Sequence, residues 1–370
     1  MRLRDKLPKL QWLRNYAGLV RKDDDFAASG FMSRTDPTTK VIGYDKSAMV
    51  FHMLRRKIGE ENFWSSLRDI YARYRFKAVT WTDLQEAFEE RSGMALQSFF
   101  RQWIFKPGAP ELAFSAIDLS AGDQGFEISG SVRQQAPYFD LPLELALETD
   151  QGVVTRRLHV SGAQSPFSFT SRGRPGKLTA DPDVHLFRRL APREVPPTVN
   201  SVRGAASVNV VVSNDLDPSA MKIARRLSAA MGLSRVRIGR EADFTAGELR
   251  GRDLLFFGNP SRKEGLPDGL FHFAITPEGF ILNGETYEGD RSSFFGVFRH
   301  PTEKTRSAAV FIPASLELAK ALSTKIPHYG KYSYLVFNDT RNQVKGTWAA
   351  VNSPLSVQWP ADAKTDRRRK

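Results

Sequence analysis

Six histidines and no cysteine bound the chemistry open to this 370-residue chain. The histidines are His52, His159, His185, His272, His300 and His328, and no two are four positions apart. A helix carrying H-E-x-x-H sets two imidazoles on one face with a general-base glutamate between them; that metal motif is absent, and no thiolate can stand in for a missing imidazole. His52, beside Phe51 and Met53 in an apolar helical stretch, reads as a structural residue. No G-x-S-x-G elbow and no Walker-type phosphate loop occurs. Asn214-Asp215 and Gly258-Asn259-Pro260 each follow an apolar run of strand length, where open α/β sheets bind ligands. The same residues are what turns and caps demand, and no glycine-rich loop accompanies them, so the turn reading is preferred.

Three textures succeed one another along the chain and must position any such residues. From 42 to 105 the apolar spacing is helical: Ala48, Phe51, Leu54 and Ile58, then Phe63, Leu67, Ile70, Tyr71 and Tyr74 after a break at Gly59. Thr82 with Gln85 has capping-box spacing and Gly93 stands where a helix should stop, which predicts a helix over 83–92. Phe99, Phe100, Trp103 and Ile104 mark a further helix, ended by Pro107-Gly108-Ala109-Pro110. From 109 to 190 the period becomes two, as in Phe126, Ile128, Gly130, Val132 and Leu143, Leu145, Leu147, with turns at Asp123-Gln124-Gly125 and Asp150-Gln151-Gly152; a small β-sandwich is expected. Three prolines between Ala191 and Pro197 predict an extended linker at 191–198. Over 199–360 strands and helices alternate. Val208–Val212 leads to a helix opened by Asp217 and Pro218, Leu254–Phe257, Ala308–Ile312 and Tyr334–Phe337 are further strands, and a hairpin is expected from 271–275 and 280–282 around Pro277-Glu278-Gly279. This is an α/β layered domain with a partly parallel sheet, followed by a basic tail at 361–370. The fold class expected is multi-domain α+β, with residues 1–108 forming the helical part.

The formal charge of +13 invites a nucleic-acid or anionic-membrane reading, but its distribution does not encourage it. Residues 1–108 hold 20 Lys and Arg against 13 Asp and Glu, basic residues elsewhere are scattered except in the tail, and no basic helix face interleaved with aromatics is expected. No nucleic-acid partner is expected. No apolar run approaches the roughly 18–20 residues of a membrane span, and charges with Pro8 interrupt the N-terminus before a signal-peptide core can form. The compartment is left open.

The helical part carries a resemblance. Gly43-Tyr44-Asp45-Lys46-Ser47-Ala48, Met53-Leu54-Arg55, Ile58-Gly59-Glu60-Glu61-Asn62-Phe63, Thr80-Trp81-Thr82-Asp83-Leu84, Ser92-Gly93 and Phe100 to Trp103 with Pro107 to Pro110 stand in an order that resembles the zinc aminopeptidases of the aminopeptidase N and leukotriene hydrolase family, which are gluzincins. The likeness covers about 34–112 and falls downstream of that family's zinc motif. It implies that residues 1–108 are the C-terminal remnant of a thermolysin-like catalytic domain, that the β-sandwich ending in Asp181-Pro182-Asp183 is the family's following domain, and that the α/β part is an extension. It also implies that Tyr44 is the tyrosine of the Y-x-K-G motif, whose phenol donates a hydrogen bond to the oxyanion of the tetrahedral intermediate. Ser47 departs from the motif's glycine, and Lys46 reads as structural. The family's G-x-M-E-N, H-E-x-x-H and distal glutamate are not in residues 1–43. The resemblance therefore implies a C-terminal portion of a peptidase, either a fragment or the product of a gene lacking its front half, inactive alone and binding no cofactor itself. Zinc would belong to an upstream polypeptide partner, with a peptide as substrate once the two are together. The alternative is a non-enzymatic module that binds a protein or polymer.

Overall fold

The computed structural model describes residues 2–122, 125–260, 273–276, 279–303, 305–348 and 353–360. Two compact units divide the chain: Met1–Glu194 with Asn352–Lys370, and Val195–Val351. The basic tail, His272 and the centres of the turns expected at 123–125 and 277–279 lie outside the described residues.

In the first unit the helices are α1 (Arg2–Leu19), α2 (Pro37–Lys40), α3 (Ser47–Ile58), α4 (Glu60–Tyr74), α5 (Trp81–Ser92) and α6 (Gln97–Trp103). A π-helical turn, Val41–Lys46, joins α2 to α3 without a break. Gly59, at φ 88°, separates α3 from α4 in a conformation that side chains disfavour. Helix α5 starts earlier than expected. Its cap is Thr80, whose Oγ1 accepts from the Asp83 N–H at 3.2 Å while the Asp83 carboxylate accepts from the Thr80 N–H at 2.8 Å, so Thr82 lies inside the first turn. Gly93 ends it in the left-handed region as expected.

Strands β1 (Leu112–Gly122), β2 (Gly125–Gln134), β3 (Leu141–Thr149), β4 (Gly152–Val160), β5 (Gln164–Ser171) and β6 (Pro175–Ala180) follow. They form two antiparallel sheets whose inward residues, among them Ile128, Val132, Leu143, Leu145, Leu147 and Leu178, are buried.

The second unit is built on α7 (Val199–Arg203), β7 (Val208–Val212), α8 (Ala220–Met231), β8 (Val236–Arg240), α9 (Ala246–Arg250), β9 (Asp253–Phe257), β10 (Phe273–Thr276), β11 (Gly279–Leu282), β12 (Glu285–Glu288), β13 (Ser292–Arg299), β14 (Ser307–Ile312), α10 (Leu316–Leu322), β15 (Tyr334–Asn338) and β16 (Arg341–Gly346). Its large sheet runs β16-β15-β13-β14-β9-β7-β8; β14, β9, β7 and β8 are parallel and the rest antiparallel. Strand β7 is buried throughout, as a strand covered on both faces must be. Val208, Val210 and Val212 pack with Ala224 and Leu227 of α8; Val211 packs on the other side with Phe256, Phe273 and Phe280, the last two from the small β10-β11-β12 sheet. Helix α8 begins at Ala220, later than Asp217 and Pro218 suggest, because the Asp217 carboxylate accepts from the Ser219 N–H at 2.8 Å and so closes a turn ahead of the helix.

Two features depart from the expected layout. A last strand, β17 (Ser356–Gln358), pairs antiparallel with β6 of the first unit, so the tract 352–360 does not belong with the α/β part. The segment expected to be an extended linker begins with a 3-10 turn, Pro192–Glu194, and Glu194 is buried in a bidentate pair with Arg188 at 2.8 Å for both bonds.

Candidate functional site

Tyr44 sits at the middle of the π-helical turn and is 55% exposed, while Val41, Ile42, Asp45 and Lys46 around it are buried. The wider π winding lets one short segment turn two charged side chains inward and the phenol outward. Each inward charge is met. The Asp45 carboxylate accepts from Lys40 Nζ at 2.5 Å and from Asn15 Nδ2 of α1 at 2.7 Å. Lys46 Nζ donates to the carbonyl of Gly108 at 3.2 Å, with the carbonyl of Lys106 at 3.5 Å, which ties the turn to the Pro107–Pro110 segment. Burial pulls the Lys46 ammonium down to about 8; Asp25 opposes this and Arg189 adds to it. Asp25 in turn accepts a short hydrogen bond from the Tyr16 hydroxyl and lies 3.6 Å from Arg189. Lys46 thus acts as a buried strut, in line with its structural reading.

Among the described residues the phenol has one aromatic neighbour, Phe31, edge-on at 5.6 Å and 74°. Gly43 makes room for it, since a Cβ there would come within 2.4 Å of the Phe31 ring. Ser47, where the motif has glycine, opens α3 without disturbance, and its hydroxyl lies 3.4 Å from the Ile42 carbonyl. The arrangement presents a hydroxyl donor to solvent on a rigid base.

Among the described residues no three His, Asp or Glu side chains come together as metal ligands. His159 lies 3.3 Å from Asp140, and His300 is buried, its Nε2 on the Leu249 carbonyl at 2.9 Å and its Nδ1 accepting from the Glu303 N–H at 3.2 Å. His52 and His185 do meet, Nε2 to Nδ1 at 2.9 Å, with stacked rings. Arg55 can only donate, so its contact to His52 Nδ1 at 3.3 Å leaves Nε2–H of His52 to donate to His185. Lys9 Nζ also reaches His185 Nδ1, at 3.1 Å. The lone pairs of this pair are taken up by protons and cations, which does not fit a zinc site. Burial first, then Lys9 and the neighbouring charges, hold His52 down at about 3 and His185 at about 4. Spacing could not show this pairing, because the partners are 133 positions apart.

In the second unit the loops after β7 and β9 come together. The Ser213 hydroxyl lies 2.5 Å from Asp215 Oδ1 and 2.6 Å from the Asn259 carbonyl, and Gly258, at φ 96°, has the Leu216 and Ser213 side chains under 3.0 Å from where a Cβ would be. The single Ser213 hydroxyl proton is shared between two acceptors of these loops, a contact of the kind turn residues make.

Residues 31–103 match the description "Peptidase family M1 domain". Aminopeptidase N of Lactococcus lactis subsp. lactis is 32% identical over 77 residues, 21% of this chain and 9% of the relative. Aminopeptidase N of Escherichia coli (strain K12) is 36% identical over 67 residues, 18% of this chain and 8% of the relative. A leucyl aminopeptidase of Saccharolobus solfataricus is 27% identical over 119 residues, 32% of this chain and 15% of the relative. The chain therefore spans less than a sixth of the length of these curated relatives. A solved structure, Legionella pneumophila aminopeptidase A in complex with aspartic acid, aligns with 52% of this chain and 21% of its own at 19% identity and a TM-score of 0.35, too distant a likeness to carry weight.

Proposed function

We propose that this chain, whose residues 31–103 match a peptidase family M1 domain, supplies an oxyanion-stabilising tyrosine, Tyr44, to an aminopeptidase active site. In this reading the helical part is the C-terminal portion of a catalytic domain. The β-strands of 109–190 are the sandwich that follows it, and the α/β unit is an extension. The metal and the general base of the reaction belong to a segment of such a domain other than the residues matched here. This chain alone is proposed to be inactive. Its role in the reaction is to hold a neutral phenol beside the oxygen that gains negative charge when a peptide carbonyl is attacked, with Asp45 and Lys46 fixing the turn beneath it.

The observation that supports this most is the contrast within one turn: Tyr44 is outward while both charged neighbours are buried and bonded. The test requires the chain together with a polypeptide that carries the H-E-x-x-H portion of such a domain. Tyr44→Phe keeps the ring against Phe31 and removes only the hydroxyl. The expected result is a kcat lower by about 10²–10³-fold with KM, metal content and Tm little changed. A near-normal kcat would remove Tyr44 from the mechanism. A large fall in Tm would make it a packing residue.

A further inference from the structure

Contrary to the expectation from sequence, α4 and the bend after it carry cations interleaved with exposed aromatic rings. Trp64, Arg68 and Tyr71 recur at four- and three-residue steps and so share one face of α4, and Arg75 follows as the residue that ends the helix. Trp64 is 47% exposed, Tyr71 66% and Phe76 93%. Phe76 also holds the left-handed conformation, φ 64°, which is unfavourable for a bulky side chain. Arg75 lies 4.9 Å from its ring and Lys77 follows it. Burying apolar rings is the ordinary outcome of folding, so three exposed aromatic rings within thirteen residues mark a surface meant for contact.

The charges say what kind of contact. Residues 62–79 hold Arg68, Arg73, Arg75 and Lys77 against one carboxylate, Asp69. Asp69 is held by Arg91, and Arg73 by Glu90 at 2.6 Å. Glu60 accepts from the Trp64 indole at 2.9 Å and lies 3.4 Å from Arg55. Arg68, Arg75 and Lys77 take part in none of the ion pairs among the described residues; Arg68 donates to the Ser65 hydroxyl at 2.9 Å. The neighbouring carboxylates are thus bound by other cations, and the three cations beside the rings are left without carboxylate partners.

We propose that this face, Trp64 to Lys77, docks the protein on an anionic phospholipid surface. Aromatic rings with a polar or cationic rim are suited to the headgroup layer, where the ring leaves water and the cation meets phosphate. Cations near an anionic leaflet add attraction that fades within a Debye length. The attachment is peripheral: no helix among the described residues is long and apolar enough to cross a membrane.

The test uses the full chain and vesicles of phosphatidylcholine containing about one-third phosphatidylserine, against vesicles of phosphatidylcholine alone, followed by co-sedimentation. Binding is expected to the anionic vesicles and to fall steeply with added salt. Tyr71→Ser with Phe76→Ser leaves every charge in place and touches exposed side chains only, so circular dichroism should report an unchanged fold while vesicle affinity falls about tenfold or more. Arg75→Gln with Lys77→Gln should weaken binding and flatten its salt dependence. Undiminished binding by the aromatic variant would assign the attraction to the diffuse +13 charge of the chain and overturn the proposal. Absence of binding to anionic vesicles would overturn it too. A wild-type dimer that Phe76→Ser converts to monomer would give the face to a second copy of the chain, and would likewise overturn it.

Discussion

His52 and His185 are the residues whose environment makes the sharpest demand on pH. Both imidazoles are neutral in the folded chain and face Lys9, Arg55 and Arg56; Asp183 is the carboxylate that favours charge on His185. Their folded values, about 3 and about 4, lie below the ordinary 6.5 of an unfolded histidine. As pH falls through 6.5 the unfolded chain takes up protons that the folded chain refuses, so stability is lost from there down towards 4. The buried Asp181 works the other way. Burial raises its carboxyl to about 6, so folding favours its protonated form below that pH, a gain that offsets only part of two imidazole losses. The expected outcome is a Tm that falls between pH 7 and pH 4.5. A His52→Gln, His185→Gln variant should lose less over that range, so the difference between variant and wild type narrows or inverts. Parallel Tm profiles across the range would refute this account.

At the scale of elements, the Arg188–Glu194 pair locks the turn where the first unit ends. Burial pushes the Glu194 carboxyl up, and Arg188, Ser353 and the Ala191 N–H together more than reverse that, leaving it below its ordinary value. Removing one partner leaves a buried, unpaired charge, so Arg188→Ala is expected to cost about 3–5 kcal/mol, whereas Arg188→Met with Glu194→Met should be nearly neutral. Urea melts of the two variants distinguish the cases; equal losses would mean that packing and not charge is at stake. The same pair illustrates what the sequence leaves illegible. In the sequence Arg188 stands before a proline-rich linker and Glu194 inside it, and nothing local shows that they are buried against each other. Elements with a strong period were legible: α3, the strands from Leu112 to Ser171, and the buried β7 and β9; β6, Pro175–Ala180, was not. Helix α1 was not, because Pro8 and alternating charges hide Leu13, Tyr16 and Val20, which only tertiary packing buries. The three-residue β17 was hidden for the same reason, its evidence being a partner about 180 positions away. Tyr44 could be singled out by resemblance. Its supports, Asn15, Gly108 and the Asp25–Arg189 contact behind Lys46, come from three distant stretches and are visible only once folded.

For the molecule as a whole, the second unit has the two-sided sheet and paired cores of a self-sufficient fold. The isolated polypeptide 195–351 is expected to unfold in one cooperative transition. Extending it to 360 should add no stability, since β17 would lack the β6 edge it pairs with. A non-cooperative melt of 195–351 would show that the sheet depends on the rest of the chain.

The chain leaves the first unit after Glu194 and re-enters it by Ser353, and the side chains of those two residues touch, Oγ to Oε1 at 2.7 Å. Doorway and return are therefore one place. In the language of gene architecture, the α/β unit, Val195–Val351, occupies the position of a single loop, a guest within the sequence of the first unit. A guest of that kind can be excised. A few glycines bridging Glu194 to Ser353 should leave β17 in its sheet, and any function carried by the helical part should survive the loss.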